Sequence, residues 1–140
     1  MAFSATGMVL FAQQTDYRRN NPPQNVQRSW QKDYPNYNTN NTWDYRNSRW
    51  HTRYQDRDHN NRDVDVYYDR NGRRVWWQTR WDRNDLPIAV RDRIKAKYRV
   101  DNYNAYRIDR PGSGFYFQIS IGKNRNIYLD ERGREVRHRW

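Results

Sequence analysis

Two runs of alternating apolar and polar residues, Val66 to Val75 (VYYDRNGRRV) and Ile127 to Val136 (IYLDERGREV), align without gaps at an offset of 61 residues. Alternation places successive side chains on opposite faces of a strand, and an Asp and a Gly between two such stretches make a tight turn, so each run predicts a β-hairpin. Gly72 and Gly133 are the residues that can take the positive φ of those turns. Ahead of each hairpin the period changes to that of a helix. Leu86, Val90, Ile94 and Tyr98 recur one helical turn apart behind Asn84 and Asp85 as N-cap candidates, with Pro87 in the first turn. Val26, Trp30 and Tyr34 do the same behind Pro22 and Pro23, and Pro35 ends that helix. Each helix is followed by a further hairpin: Thr42 to Asn47 with Arg49 to Gln55, and Tyr103 to Asp109 with Phe115 to Ile121, the second turning at Pro111 to Gly114.

The pattern is helix and four antiparallel strands, twice over. It predicts an α+β fold in which residues 22–81 and 82–140 are two αββββ units forming a curved sheet with both helices on one face. Residues 1–12, MAFSATGMVLFA, are uncharged and read as the residue of a signal peptide that lacks its basic leader, with a short buried strand or helix as the other reading; residues 13–21 read as a polar linker. No other stretch approaches the length of a membrane span. Alternation sends Trp50, Thr52, Tyr54, Val64, Val66, Tyr68, Val75, Trp77, Phe115, Phe117, Ile119, Ile121, Ile127 and Leu129 towards the helices. Arg49, His51, Arg53, Tyr67, Arg74, Trp76, Tyr116, Gln118 and Tyr128 are then left on the open face.

Composition sharpens this. The chain of 140 residues has 7 Trp, 12 Tyr and 4 Phe, which can fill a thin core despite low mean hydropathy. It carries 27 Lys and Arg against 16 Asp and Glu, a net charge of +11. The charge is spread along the chain, so there is no basic tail. It would attract an acidic protein surface, a nucleic acid or an anionic envelope polymer, and it also serves solubility. With no Cys, disulfides, thiolate metal sites and cysteine nucleophiles are excluded.

No catalytic constellation can be assembled. His51, His59 and His138 fall in no metal-ligand spacing, and motifs for zinc proteases, serine hydrolases and phosphate loops are absent. Asp56, Asp58 and Asn60, followed by Asp63, match the start of a calcium loop. Asn61 then stands where Gly belongs and Tyr67 where a bidentate Glu belongs, so the segment reads as a polar hairpin loop. No metal or cofactor is expected.

Leu86 and Pro87 opening a helix that ends at Tyr98, then FYFQISI and IYLDERGREV, together with WQKDYPNY, Trp43 and RWHTRYQD upstream of VYYDRNG, resemble the PepSY-like, beta-lactamase-inhibitor-like family of exported Gram-negative proteins. The resemblance covers about residues 22–140. It implies the fold of the beta-lactamase inhibitor protein, two helix and four-strand units whose curved sheet grips an enzyme on the helix-free face. It does not imply that this chain inhibits a beta-lactamase; the chain lacks that inhibitor's two disulfides and is strongly basic. The expectation is a periplasmic or secreted, non-enzymatic protein-binding module, monomer or weak dimer, which contacts an envelope or secreted protein through Arg49, His51, Arg53, Tyr67, Arg74, Trp76, Tyr116 and Tyr128. Inhibition of an enzyme or protease would use the same surface. Binding of nucleic acid or another polyanion stays open, because Arg interleaved with aromatic rings suits both kinds of partner.

Overall fold

The structure is a computed structural model and describes residues 21–37 and 41–138. The signal-peptide and linker readings of residues 1–20 lie outside the described residues. Among the described residues two α-helices, α1 (Gln24–Asp33) and α2 (Ile88–Arg93), accompany strands β1 (Trp43–Arg46), β2 (Arg49–Asp56), β3 (Arg62–Tyr68), β4 (Arg74–Trp81), β5 (Asn104–Arg110), β6 (Gly114–Ile121) and β7 (Arg125–Leu129). The strands form one antiparallel sheet in the order β1-β2-β3-β4-β5-β6-β7. The fold is α+β as expected, with seven strands among the described residues in place of eight. What was expected as the last strand is a single bridge between Leu129 and Glu135.

The chain packs as two compact units, whose described residues are 21–54 and 65–75 in the first and 55–64 and 76–138 in the second, residues 38–40 aside. In the first, α1 starts after Pro23, whose extended backbone (φ −62°, ψ 159°) occupies the N-cap without a side-chain cap bond. It stops before Tyr34, because the residue ahead of Pro35 is barred from helical geometry. Val26 and Trp30 are buried from α1. Trp30 meets Trp43 edge-on at 5.9 Å and Tyr54 at 5.6 Å, and Trp50, Val66 and Tyr68 complete this core with no exposed surface.

In the second unit Leu86, Val90 and Ile94 pack on Ala105, Phe117, Ile119 and Leu129. The N-cap expected at Asn84 or Asp85 is instead at Pro87, which has no side-chain cap bond. Leu86 precedes a proline and is extended (φ −64°, ψ 143°), so the helix can begin only beyond Pro87. Asp85 sits in a short 3-10 turn, Arg83–Asp85, and its carboxylate pairs with Arg62. After Arg93 the helix widens into a π-turn, Ile94–Tyr98, closed by Arg99 N–H donating to the Ile94 carbonyl at 3.1 Å, with Arg99 left-handed (φ 52°).

Candidate functional site

In the first unit the register pairs Trp43 with Thr52, Asp44 with His51, and Tyr45 with Trp50. Trp43, Trp50, Thr52 and Tyr54 turn towards α1, so Asp44, His51 and Arg53 lie on the other side. Asp65 and Tyr67 of β3 join them there. His51 Nδ1 is 2.9 Å from Asp44 Oδ1 and Nε2 is 2.6 Å from Asp65 Oδ1. An ionised carboxylate only accepts, so the ring satisfies both partners when each nitrogen carries a proton. Arg53 donates from Nε and Nη2 to the two oxygens of Asp65 at 3.0 and 3.1 Å, and Arg46 holds Asp44 in the same two-pronged way. The Tyr67 ring lies against His51 at 4.8 Å.

The electrostatics follow from this wiring. Burial alone would raise the Asp65 carboxyl, but the hydrogen bonds and charges of His51 and Arg53 hold it below the usual carboxylate range. Asp44 behaves likewise, with burial outweighed by Arg46 and His51. Burial, seconded by the Asp65 charge, pushes the Tyr67 hydroxyl up to about 12. These groups and Thr42 and Trp43 line a concavity of ≈ 360 Å³. The arrangement holds no activated nucleophile. It presents two guanidiniums fixed in direction by their own carboxylates, with side chains 60 % (Arg53) and 56 % (Arg46) exposed, beside a half-buried tyrosine. Asp44, Asp65 and Arg46 were not singled out from the sequence, although they occupy the polar positions of the same alternation. Arg49 sits at the β1–β2 turn, in register with Arg46.

Arg74 and Trp76 do not belong to this surface, which corrects the sequence reading. Asp69 N–H donates to the Arg73 carbonyl at 2.9 Å and Gly72 N–H to that of Asp69 at 3.1 Å, so the turn sets Arg74 opposite Tyr68, on the face that meets α1. Arg74 Nη1 donates to the Tyr34 hydroxyl at 2.9 Å. Trp76, two residues along β4, is 5 % exposed. The same turn geometry recurs in the second unit, where Asp130 N–H donates to the Arg134 carbonyl at 2.9 Å and Leu129 bridges Glu135.

Tyr116 and Tyr128 come together in the second unit, 6.0 Å apart and edge-on. His138, which the sequence reading left as an isolated polar residue, stacks on Tyr128 at 4.2 Å with the planes 4° apart. Its Nδ1 is 2.6 Å from the Tyr116 hydroxyl. Burial, with the Arg110 charge behind it, lowers the His138 ring to about 4, so near neutrality the hydroxyl is the donor to Nδ1. Gln118 is buried at 9 % exposure.

Among the described residues no group of three or more His, Asp or Glu side chains is placed to hold a metal ion. The calcium-like segment is the β2–β3 turn: Asp56 accepts from the Asp58 N–H at 3.2 Å and contacts His59 Nδ1 at 2.7 Å, and Asp63 accepts from Gln55 at 3.3 Å.

This fold, a meander of antiparallel strands with helices packed on it, is shared with solved structures that include a BLIP-like protein. The chain matches a BLIP-like protein from Bacteroides fragilis with a TM-score of 0.66 and 22% identity, over 83% of this chain and 84% of that one. A DUF2874 family protein from Bacteroides ovatus matches with a TM-score of 0.71 and 18% identity, over 83% and 85%. A protein from Bacteroides eggerthii described as putative periplasmic matches with a TM-score of 0.73 and 21% identity, over 83% and 86%. No family model and no curated protein matches the sequence. No helix among the described residues is long and apolar enough to cross a membrane.

Proposed function

We propose that this protein is an exported, non-catalytic protein-binding module, built from two copies of one helix-and-sheet unit, that docks a periplasmic or secreted partner on the side of β1–β3 away from α1. The observation that carries the reading is the Asp44–His51–Asp65 chain, which fixes Arg46 and Arg53 in direction beside Tyr67. Long cationic side chains lose rotamer freedom on binding, and those already held by a carboxylate lose less. Arg49, His51, Arg53 and Tyr67 are the contacts, and Tyr116 and Tyr128, with His138 stacked on Tyr128 and bonded to the Tyr116 hydroxyl, form a second patch in the other unit. Likeness to a BLIP-like protein and to a protein described as putative periplasmic supports protein binding and the location; inhibition of an envelope enzyme is one form that binding takes.

The test is capture from an envelope extract with immobilised protein, comparing the native chain with Arg53→Ala/Tyr67→Ala and with a control, Lys123→Ala/Arg125→Ala, in and beside the β6–β7 turn. A protein retained by the native chain and the control but lost from the first variant supports the reading. Equal retention by all three sinks it. The net charge of +11 favours a polyanion as the second reading, and capture that disappears on nuclease treatment and falls steeply with salt would favour that instead.

A further inference from the structure

A second concavity, in the first unit and lined by other residues than the His51 cluster, has a different chemistry. It measures ≈ 280 Å³, and Asn21, Gln27, Trp30, Gln31, Asn41 and Trp43 contribute to its wall together with Pro22. In a chain whose residues are 31% charged, none of the described residues that line it has an ionisable side chain. Gln27 and Gln31 stand one helical turn apart on α1 and therefore on one face of it. Gln27 is anchored, its Nε2 donating to the Pro22 carbonyl at 2.8 Å.

Two donors in this wall are buried and have no hydrogen-bond partner among the described residues: Trp30 Nε1 and Asn41 Nδ2. Trp30 is only 2 % exposed. Buried indole N–H groups ordinarily find an acceptor, and leaving one without is costly. Two such donors in one small cavity, flanked by amides that can both donate and accept, call for a ligand rich in neutral oxygen atoms. Trp30 also packs against Tyr34, with ring centroids 4.6 Å apart, and meets Trp43 edge to face at 5.9 Å.

We propose that this cavity binds one ring of a neutral saccharide, with hydroxyl oxygens accepting from Trp30 Nε1 and Asn41 Nδ2 and hydroxyl protons donated to the amide oxygens of Gln31 and Asn21. Each hydroxyl both gives and accepts a hydrogen bond, which matches a wall of amides. An anionic group would find no cation there. A peptide needs a groove to run through, whereas this space is compact and lies at the small end of the range for ligand pockets, about 300 Å³. The inference is independent of the docking surface on β1–β3, since the two sites share only Trp43.

The test follows the Trp30 indole and Asn41 side-chain amide resonances of the full chain by NMR during titration with maltotriose, cellotriose and chitotriose. The expected result is a saturable shift of both resonances with at least one sugar. Gln31→Ala, at an exposed helix position, should weaken that binding at least about fivefold, the equivalent of one hydrogen bond, and Arg53→Ala should leave it unchanged. Asn41→Ala read through the Trp30 resonance gives a second check away from the helix. No shift of the Trp30 indole with any of the three sugars means the cavity holds solvent only and overturns the proposal. So does binding of equal strength in the Gln31→Ala and Asn41→Ala variants, or a stronger shift with triglycine amide than with any sugar.

Discussion

Gly72 lies against the backbone of Asn25: a Cβ placed on the glycine would come within 2.8 Å of the Asn25 carbonyl oxygen. The first hairpin thus docks on α1 at a distance only hydrogen allows. Asn25 Nδ2 donates to the Arg70 carbonyl at 2.9 Å, and Ser29 Oγ donates to that of Gly72. Gly133 stands in the same relation to α2, 2.5 Å from the Ala89 carbonyl oxygen by the same construction. Both glycines are also left-handed, with φ of 80° and 77°. Gly72→Ala and Gly133→Ala should each cost about 2–4 kcal/mol, combining left-handed strain with overpacking against backbone. Gly112→Ala, where φ is 72° and nothing lies within 4 Å, should cost only about 1–2 kcal/mol. Denaturant midpoints of the three variants check the ranking; equal losses would mean that the close approach carries no energy.

Arg74 and Arg53 looked equivalent as sequence and are opposite in structure. Arg74→Gln should lower stability by about 1–2 kcal/mol, because the Tyr34 hydroxyl loses a charged donor and its ring loses a cation 5.5 Å from the centroid. It should leave partner capture intact. Arg53→Ala should do the reverse, with loss of capture and a stability loss of only about 0.2–1 kcal/mol, since the Arg53 end of its pair with Asp65 is 60 % exposed. Thermal melts run alongside the capture assay separate the two roles.

The reason for that misassignment shows how far the sequence could be read. Both hairpins, both helices and most of the buried rows were legible, because period-two and helical spacings report which side chains leave water together. Register across a turn is a different quantity. Placing Val75 and Trp77 on the face of Val66 and Tyr68 assumed that the turn exchanges even for odd positions, whereas the bonds from Asp69 to Arg73 and from Gly72 to Asp69 set Tyr68 opposite Arg74 and keep the even positions on one face. A one-residue slip exchanges the two faces, which removed Arg74 and Trp76 from the surface in one step. The His51 cluster was half legible: His51, Arg53 and Tyr67 follow from alternation, whereas Asp44 and Asp65 are recognised only when the strands lie side by side. His138 was out of reach, since nothing in its neighbours' pattern says that the chain folds back on Tyr128.

That return of the chain makes the second patch sensitive to acid. The folded value of His138 is below the ordinary one, so the fold holds the neutral ring. Its contribution is complete above the ordinary imidazole range and is lost as pH falls from about 6.5 towards about 4. The melting temperature of the native chain should therefore exceed that of His138→Ala near neutrality, and the gap should narrow across that window. The Tyr116 and Tyr128 ring resonances of the folded chain should move only at the lower end of that window, around pH of about 4, where the folded ring takes up its proton. A gap that stays constant down to pH of about 4 would show that the stacked ring is not linked to proton uptake.

The opposite end of the pH scale of carboxylates tests the first patch. Asp65, whose side chain is 13 % exposed, is held ionised by His51 and Arg53, so its folded value lies below its unfolded one. Stabilisation of this kind is fully present above the ordinary carboxylate range and disappears as pH falls through the depressed folded value. Asp65→Asn should thus cost about 1–3 kcal/mol near neutrality, where it leaves the facing donors of His51 and Arg53 short of a charged acceptor. The difference from the native chain should stay flat down to about pH 4 and close only below it. His51→Gln, made singly and together with Asp65→Asn, gives the coupling between the two, expected at about 0.5–3 kcal/mol for residues in direct contact. Additive losses would show that the imidazole and the carboxylate are neighbours without being partners, and Arg53 would then be steered by Asp65 alone.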